Sequence, residues 1–223
     1  MEMNNVEFKK IFYELFGEFV KNPKKVDQLY NDVIKRYTAK GRHYHDINHI
    51  YGMCDLWVQY QDKMLRPKFI LFAIIYHDII YKVTKSDNEE ESAEYFHTLA
   101  LKSHFSLKPN EIVYIKDLIK YTKHDCFFDL RLHKDAQFLL DFDLYGLSSP
   151  EETYNQNSLN IRKEYKLYSN FLYNKGRADF LQKFLKKEKI YLTEEFSVLE
   201  ENARKNMANE IIYLTSPKKR NKV

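Results

Sequence analysis

The stretch Phe69-Ile-Leu-Phe-Ala-Ile-Ile-Tyr-His-Asp-Ile-Ile-Tyr81 decides how the chain folds. Eleven of its thirteen residues are apolar or aromatic, and the two exceptions, His77 and Asp78, are adjacent near its end. The run falls short of the roughly 20 apolar residues that a bilayer crossing needs. It reads instead as the central helix of a soluble core, apolar on nearly every face, with Pro67 in its first turn. An unpartnered carboxylate there costs several kcal/mol in lost hydration. His77 and Asp78 therefore need partners. A buried hydrogen-bonded pair or salt bridge is one answer. A divalent metal, which accepts imidazole nitrogen and carboxylate oxygen together, is the other.

Working outward, helical periodicity continues on both sides. On the N-terminal side it covers Val6–Val20 and, opened by Pro23, a helix to about Tyr37. After Ala39-Lys40-Gly41 comes the histidine-dense GRHYHDINHI. A third helix begins near Asp46, a plausible N-cap, with Ile47, Ile50, Tyr51, Cys54 and Val58 on one side. On the C-terminal side, Ser86-Asp87-Asn88-Glu89 has the form of a capping box, and its helix runs through Tyr95, Phe96, Leu99 and Leu101. Pro109 opens a helix through Ile112, Ile115, Leu118 and Ile119 to Thr122. A loop around Cys126–Asp129 leads into Ala136–Leu147. Ser149-Pro150-Glu151-Glu152 starts a long helical pattern to Tyr173, followed by Ala178–Lys187 and Glu194–Leu214. No alternating strand pattern occurs. The expectation is one all-α domain over residues 1–215 and a disordered basic tail, SPKKRNKV, at 216–223.

Composition agrees. The chain of 223 residues has 44% hydrophobic content, enough for one sizeable core, with only five Gly and five Pro. A net charge of +4 suits a small anion and is far from a nucleic-acid signature. Cys54 and Cys126 form no C-x-x-C pair, and the charged N-terminus lacks the apolar core of a signal peptide, so a reducing, cytoplasmic setting without membrane spans is expected.

Three helices carry ionisable groups in apolar surroundings. His45 and His49 are four apart and share a face if both are helical. His77 and Asp78 end the central run. Asp141 and Asp143 interrupt Phe138–Leu147, where a helical wheel turns Asp143 toward the core and Asp141 away from it. Three separate sets are explained most economically by one common metal, since each buried carboxylate otherwise needs its own partner. Arg42, Lys123, Arg162 and Arg177 are candidates for gripping an anion such as phosphate. Arg42 is favoured for its closeness to the histidines.

The ordered set resembles the HD-domain superfamily of metal-dependent phosphohydrolases, closest to a group of small stand-alone predicted members. The residues that carry the likeness are Arg42–His45, Tyr76–Asp78, Asp87–Ala93, Asp141–Leu144, Ile161–Tyr165, Gly176-Arg177 and Ala203–Asn206. The resemblance implies an HD-type helical bundle. It implies metal ligation by His49, His77, Asp78 and Asp143, with His45, His124 and Asp141 as further candidates. Arg162 gains weight as a phosphate contact from its place in the Ile161–Tyr165 motif. Tyr44-His45-Asp46-Ile47-Asn48-His49 is also similar to the YHN-x-x-H motif of cyclic-nucleotide phosphodiesterases, with Asp46 in place of Asn. That likeness makes His45 the proton donor to a leaving oxygen and His49 a ligand. Asp78 would orient or deprotonate water, and Glu89 or Glu90 would lie near the site. The metal would be Mn, Fe, Co, Ni or Zn, with Mg also open, and the substrate a phosphomonoester or phosphodiester of a nucleotide. Two other classes stay open: a nucleotide-binding regulator with little turnover, and a di-iron HD oxygenase.

Overall fold

The computed structural model describes residues 3–103, 105–123 and 134–216. His124, the loop around Cys126–Asp129 and tail residues 217–223 lie outside them. Among the described residues there are helices and turns and no strand, so the fold class is all-α. The chain divides into two compact units, Met1–Asp143 and Leu144–Val223.

The first unit is organised around α4 (Pro67–Tyr76), in which every residue from Ile70 to Tyr76 is buried. A helix apolar all round has to be enclosed by other elements. It packs against α3 (Ile47–Tyr60), α5 (Asn88–Lys102) and α6 (Pro109–Tyr121). From α1 (Asn5–Phe19), Phe16 meets Phe72 edge-on at 5.0 Å between ring centroids, and Phe19 does so at 5.4 Å. α2 (Pro23–Tyr37) pairs with α1. The starts of α2, α4 and α6 fall at Pro23, Pro67 and Pro109 as the sequence predicts, because proline is pre-set for a first helical turn. Asp46 is the N-cap of α3 and accepts from the Asn48 N–H at 2.8 Å.

The entry to α4 is tied down by a residue that sequence reading passed over. Asp135, in the first turn of α7 (Lys134–Leu144), is fully buried. Its carboxylate accepts from the Leu65 N–H (2.8 Å), the Arg66 N–H (3.0 Å) and the Tyr114 hydroxyl (2.9 Å). These bonds offset its desolvation, and they fasten α7 to the start of the central helix.

Three features of this unit differ from the sequence reading. The central helix ends at Tyr76, so His77 and Asp78 sit in the turn that follows it. Asp87 precedes α5 but makes no side-chain cap; the Asn88 side chain reaches back to Lys82 instead, accepting from its N–H (2.9 Å) and donating to its carbonyl (3.0 Å). Val58 and Leu101, placed on core faces, are exposed, because α3 and α5 bury Met53, Leu56, Ser92 and Ala93 in their place.

The second unit opens with a 3-10 turn, Tyr145–Ser148, and contains α8 (Glu151–Glu164), α9 (Asn170–Leu185), α10 (Glu194–Ser197) and α11 (Glu200–Thr215). The helix expected to reach Tyr173 stops at Glu164. There the Arg162 guanidinium donates to the carbonyls of Tyr165 (2.7 Å) and Tyr168 (3.0 Å) and to the Asn170 side chain (2.9 Å), stapling a turn between α8 and α9. Arg204 and Asn206 are spent similarly, Arg204 on the carbonyls of Leu185 and Lys187 and Asn206 on those of Leu147 and Ser149.

At the centre of this unit Glu210 accepts from Arg177 Nε (3.0 Å) and Nη2 (3.1 Å), the Tyr154 hydroxyl (2.5 Å) and the Ser158 hydroxyl (2.6 Å). Burial by itself would raise the Glu210 carboxyl; Arg177 and the two hydroxyls outweigh it and hold the group below its ordinary 4.5. A depressed carboxyl contributes stability that is present above that ordinary value and lost as the pH falls through the folded-state value. Glu210→Gln should therefore flatten the acid limb of the stability profile. At neutral pH it should cost about 3–5 kcal/mol, since Arg177 is left charged and buried without its partner. Urea unfolding at neutral pH and across the acid range reads both effects.

Candidate metal centre

The centre grows out of the C-terminal end of α4. The last carbonyls of a buried helix are beyond the reach of water and need donors from the protein. The Ile75 carbonyl accepts from the Tyr37 hydroxyl (3.1 Å), and the Tyr76 carbonyl from the Ile79 N–H (3.3 Å). The Ile74 carbonyl takes the His77 ring through Nδ1 (2.9 Å). With Nδ1–H committed to that carbonyl, Nε2 is the ring atom that faces the interior.

His77 Nε2 is buried and makes no hydrogen bond among the described residues. It stands 3.4 Å from Asp78 Oδ2 and 3.6 Å from Asp143 Oδ1. The fourth group arrives from the first turn of α3, where His49 Nε2 lies 3.1 Å from the same Asp143 oxygen. All four side chains are largely enclosed; the most open, Asp143, is 14% exposed. His49, His77 and Asp78 each offer a ligand atom, all within 4.8 Å of one another.

Both shifts at the turn come from the closeness of imidazole and carboxylate in a buried place. Burial alone would lower His77, but the carboxylates of Asp78 and Asp143 outweigh it and raise the imidazole from 6.5 to about 9. Burial alone would raise Asp78; His77 and then His45 overcome it, so the carboxyl lies below its ordinary range. A proton on Nε2 would be held by charge more than by hydrogen bonding, because the carboxylates stand at 3.4 and 3.6 Å and good hydrogen bonds from nitrogen close to about 3.2 Å or less. Ligands about 2.0–2.2 Å from a shared ion stand about 3–3.5 Å apart from each other; the His49–Asp143, His77–Asp78 and His77–Asp143 distances of 3.1, 3.4 and 3.6 Å come close to that, while the donor atoms of His49, His77 and Asp78 lie within 4.8 Å of one another. The imidazoles of His49 and His77 and the carboxylate of Asp78 could hold a divalent transition metal, with Asp143 beside both imidazoles. The residues fit the group.

The other sequence candidates fall as follows. His45 is not helical; it precedes the Asp46 cap, two residues before α3 begins, so it does not share a helix face with His49. Its ring stacks on Tyr81 at 4.4 Å and stands edge-on to Tyr44 at 4.9 Å, and it is near enough to Asp78 to lower that carboxyl. It is partly open to solvent. Asp141 is fully buried rather than turned outward, because α7 is covered nearly all round, from Ala136 and Phe138 to Phe142. Glu89, half-buried in the first turn of α5, is raised by burial and by the nearby Asp78. Glu90 instead pairs with Lys123 at 2.5 Å. Arg42 donates to the carbonyls of His45, Asp78 and Ile79. Arg162 belongs to the second unit and holds the turn between α8 and α9.

Sequence reading gave no role to Tyr37, Tyr81, Asn88 or Ser92, although Asn88 and Ser92 lie within the Asp87–Ala93 motif. Ser92 donates to the Ile80 carbonyl and accepts from its N–H, at 3.2 and 3.1 Å. Small polar residues four apart on a buried helix face were the signal for Asn88 and Ser92. Nothing in the sequence marks Tyr37.

Compared with known protein families, curated proteins and solved structures, the chain gives no match in any of the three. Among the described residues no helix is long and apolar enough to cross a membrane.

Loading the centre should stabilise the fold, because a ligand held only by the native state adds about 2.7 kcal/mol at a hundredfold excess over its dissociation constant. Co²⁺ added to chelator-treated protein should raise the melting temperature. His77→Gln and Asp78→Ala should each abolish that rise, as read by differential scanning fluorimetry.

Proposed function

We propose that the protein is a metal-dependent phosphohydrolase of the HD type, cleaving a phosphomonoester or phosphodiester of a nucleotide in the cytoplasm. The observation that carries the reading is the buried His77 Nε2, without a hydrogen bond and faced by two carboxylates and a second imidazole. The ordered motif His49, His77-Asp78, Asp143 supplies the likeness to that superfamily.

In this reading His49, His77, Asp78 and Asp143 hold a divalent ion. The ion would supply a Lewis acid for a phosphoryl oxygen and acidify water near neutral pH. Asp78 keeps its charge down to low pH, so its carboxylate is available to orient that water. His45 stands at the partly open side of the centre, held between Tyr44 and Tyr81, where a proton can be passed to a leaving oxygen. The buried, free Cys54 suits a reducing compartment.

The two histidines then have separable roles. His49→Ala should lose the metal. His45→Ala should retain it and slow turnover about 10²–10⁴-fold, the usual contribution of general acid catalysis. The loss should shrink with a nitrophenyl phosphate, whose leaving group hardly needs a proton. Metal analysis of each variant, followed by a phosphoester panel with Mn²⁺, Co²⁺, Zn²⁺ and Mg²⁺ restored in turn, makes the test. A metal-loaded wild type that turns over no phosphoester would reject the reading.

A further inference from the structure

The five residues that follow His77, Asp78–Lys82, form no helix, yet their backbone is bonded at nearly every step. The Lys82 amide and carbonyl go to Asn88, and the Ile80 amide and carbonyl go to Ser92. The first two carbonyls, of Asp78 (2.7 Å) and Ile79 (3.2 Å), go to Nη2 of Arg42. Nη1 of the same guanidinium donates to the His45 carbonyl at 2.8 Å. The Arg42 plane is itself held, 4.8 Å from the Tyr37 ring centre and 5.4 Å from that of Tyr81. Tyr37 caps the end of α4, and Tyr81 carries the His45 ring.

The geometry points to Arg42 as the positioning residue of the metal centre: one guanidinium fork sets the distance between the His45–His49 segment and the His77–Asp78 turn. This rests on the metal reading above and assigns Arg42 a task other than gripping phosphate. The two segments are far apart in sequence, with most of α3 and the whole of α4 between them, and join no common helix. Arg42 donates to carbonyls on both of them, and the chain reaches it through Gly41, whose φ of 104° turns the backbone in a way that L side chains rarely adopt. Only a planar fork with donors pointing in fixed directions spans three carbonyls on two segments; a lysine ammonium offers charge without that geometry. Groups that orient metal ligands without touching the metal typically change affinity 10–100-fold when removed.

The test is a Co²⁺ titration of chelator-treated protein, read by visible absorption, for wild type, Arg42→Lys, Arg42→Met and Arg36→Met. The melting temperature of each metal-free protein is measured alongside. Arg36 serves as the control for lost stability, because its guanidinium is also paired and stacked, with Asp32 at 2.9 Å and Tyr95 at 4.4 Å, but bonds to neither ligand-bearing segment. Both Arg42 variants are expected to weaken Co²⁺ binding about 10–100-fold, with no rescue by lysine, while Arg36→Met lowers the melting temperature and leaves Co²⁺ affinity unchanged. Arg42→Lys that binds Co²⁺ as tightly as wild type but no longer holds inorganic phosphate on the loaded protein would overturn the proposal and return Arg42 to the substrate. Equal weakening by Arg36→Met would also overturn it, reducing Arg42 to a general stabiliser. A wild type that takes up no Co²⁺ would reject the metal reading itself, and this inference with it.

Discussion

A helix that is apolar on every face can be enclosed, but its ends cannot be made apolar. That constraint governs the first unit. α4 brings buried side chains from Ile70 to Tyr76, and each terminus presents backbone groups that cost free energy if left without partners. At the entry the Asp135 carboxylate takes the N–H groups of Leu65 and Arg66; at the exit Tyr37, Ile79 and the His77 ring take the carbonyls. The groups that finish the helix are also those that build the centre. His77 is there because a ring donor was needed three residues after Ile74, and once its Nδ1 is used its Nε2 has one direction left.

α7 carries the same logic further. Asp135 and Asp143 are eight residues apart, a little over two turns, and so lie near one face of the helix. One satisfies the start of α4; the other meets His49 and His77 near its end. The placement of Asp143 thus depends on a carboxylate that takes no part in the centre.

What the sequence made legible was set by local chemistry. Pro23, Pro67 and Pro109 open helices where they stand, Asp46 caps α3, and the apolar run at Phe69 marks the core, because each depends on residues within a turn or two. His49, His77, Asp78 and Asp143 were legible as polar groups in apolar surroundings, and the structure brings those four together. Less legible was anything decided at a distance. α4 stops at Tyr76 rather than continuing to Tyr81 because Tyr37, Arg42 and Ser92 claim the backbone that would have continued it. α8 stops at Glu164 because Arg162 folds over its end. The wheel misjudged Asp141 because α7 has almost no solvent side for it to face. For the arginines, sequence gave the type of donor but not its acceptors, and Arg42 and Arg162 both spend their forks on main-chain carbonyls.

The partner that orients His77 is a peptide carbonyl, not another side chain. Where a carboxylate fixes a ring, a single substitution can release it. The Ile74 carbonyl is present whatever residue occupies position 74, provided the last turn of α4 forms. Genetic drift in the surrounding core can therefore exchange one apolar side chain for another, and even alter the packing volume, without freeing the imidazole to rotate. Only a lesion that unwinds that turn, such as proline at position 75 or 76 inside α4, reaches it. The orientation of this histidine is inherited from the helix itself, which makes it tolerant of changes elsewhere in the core.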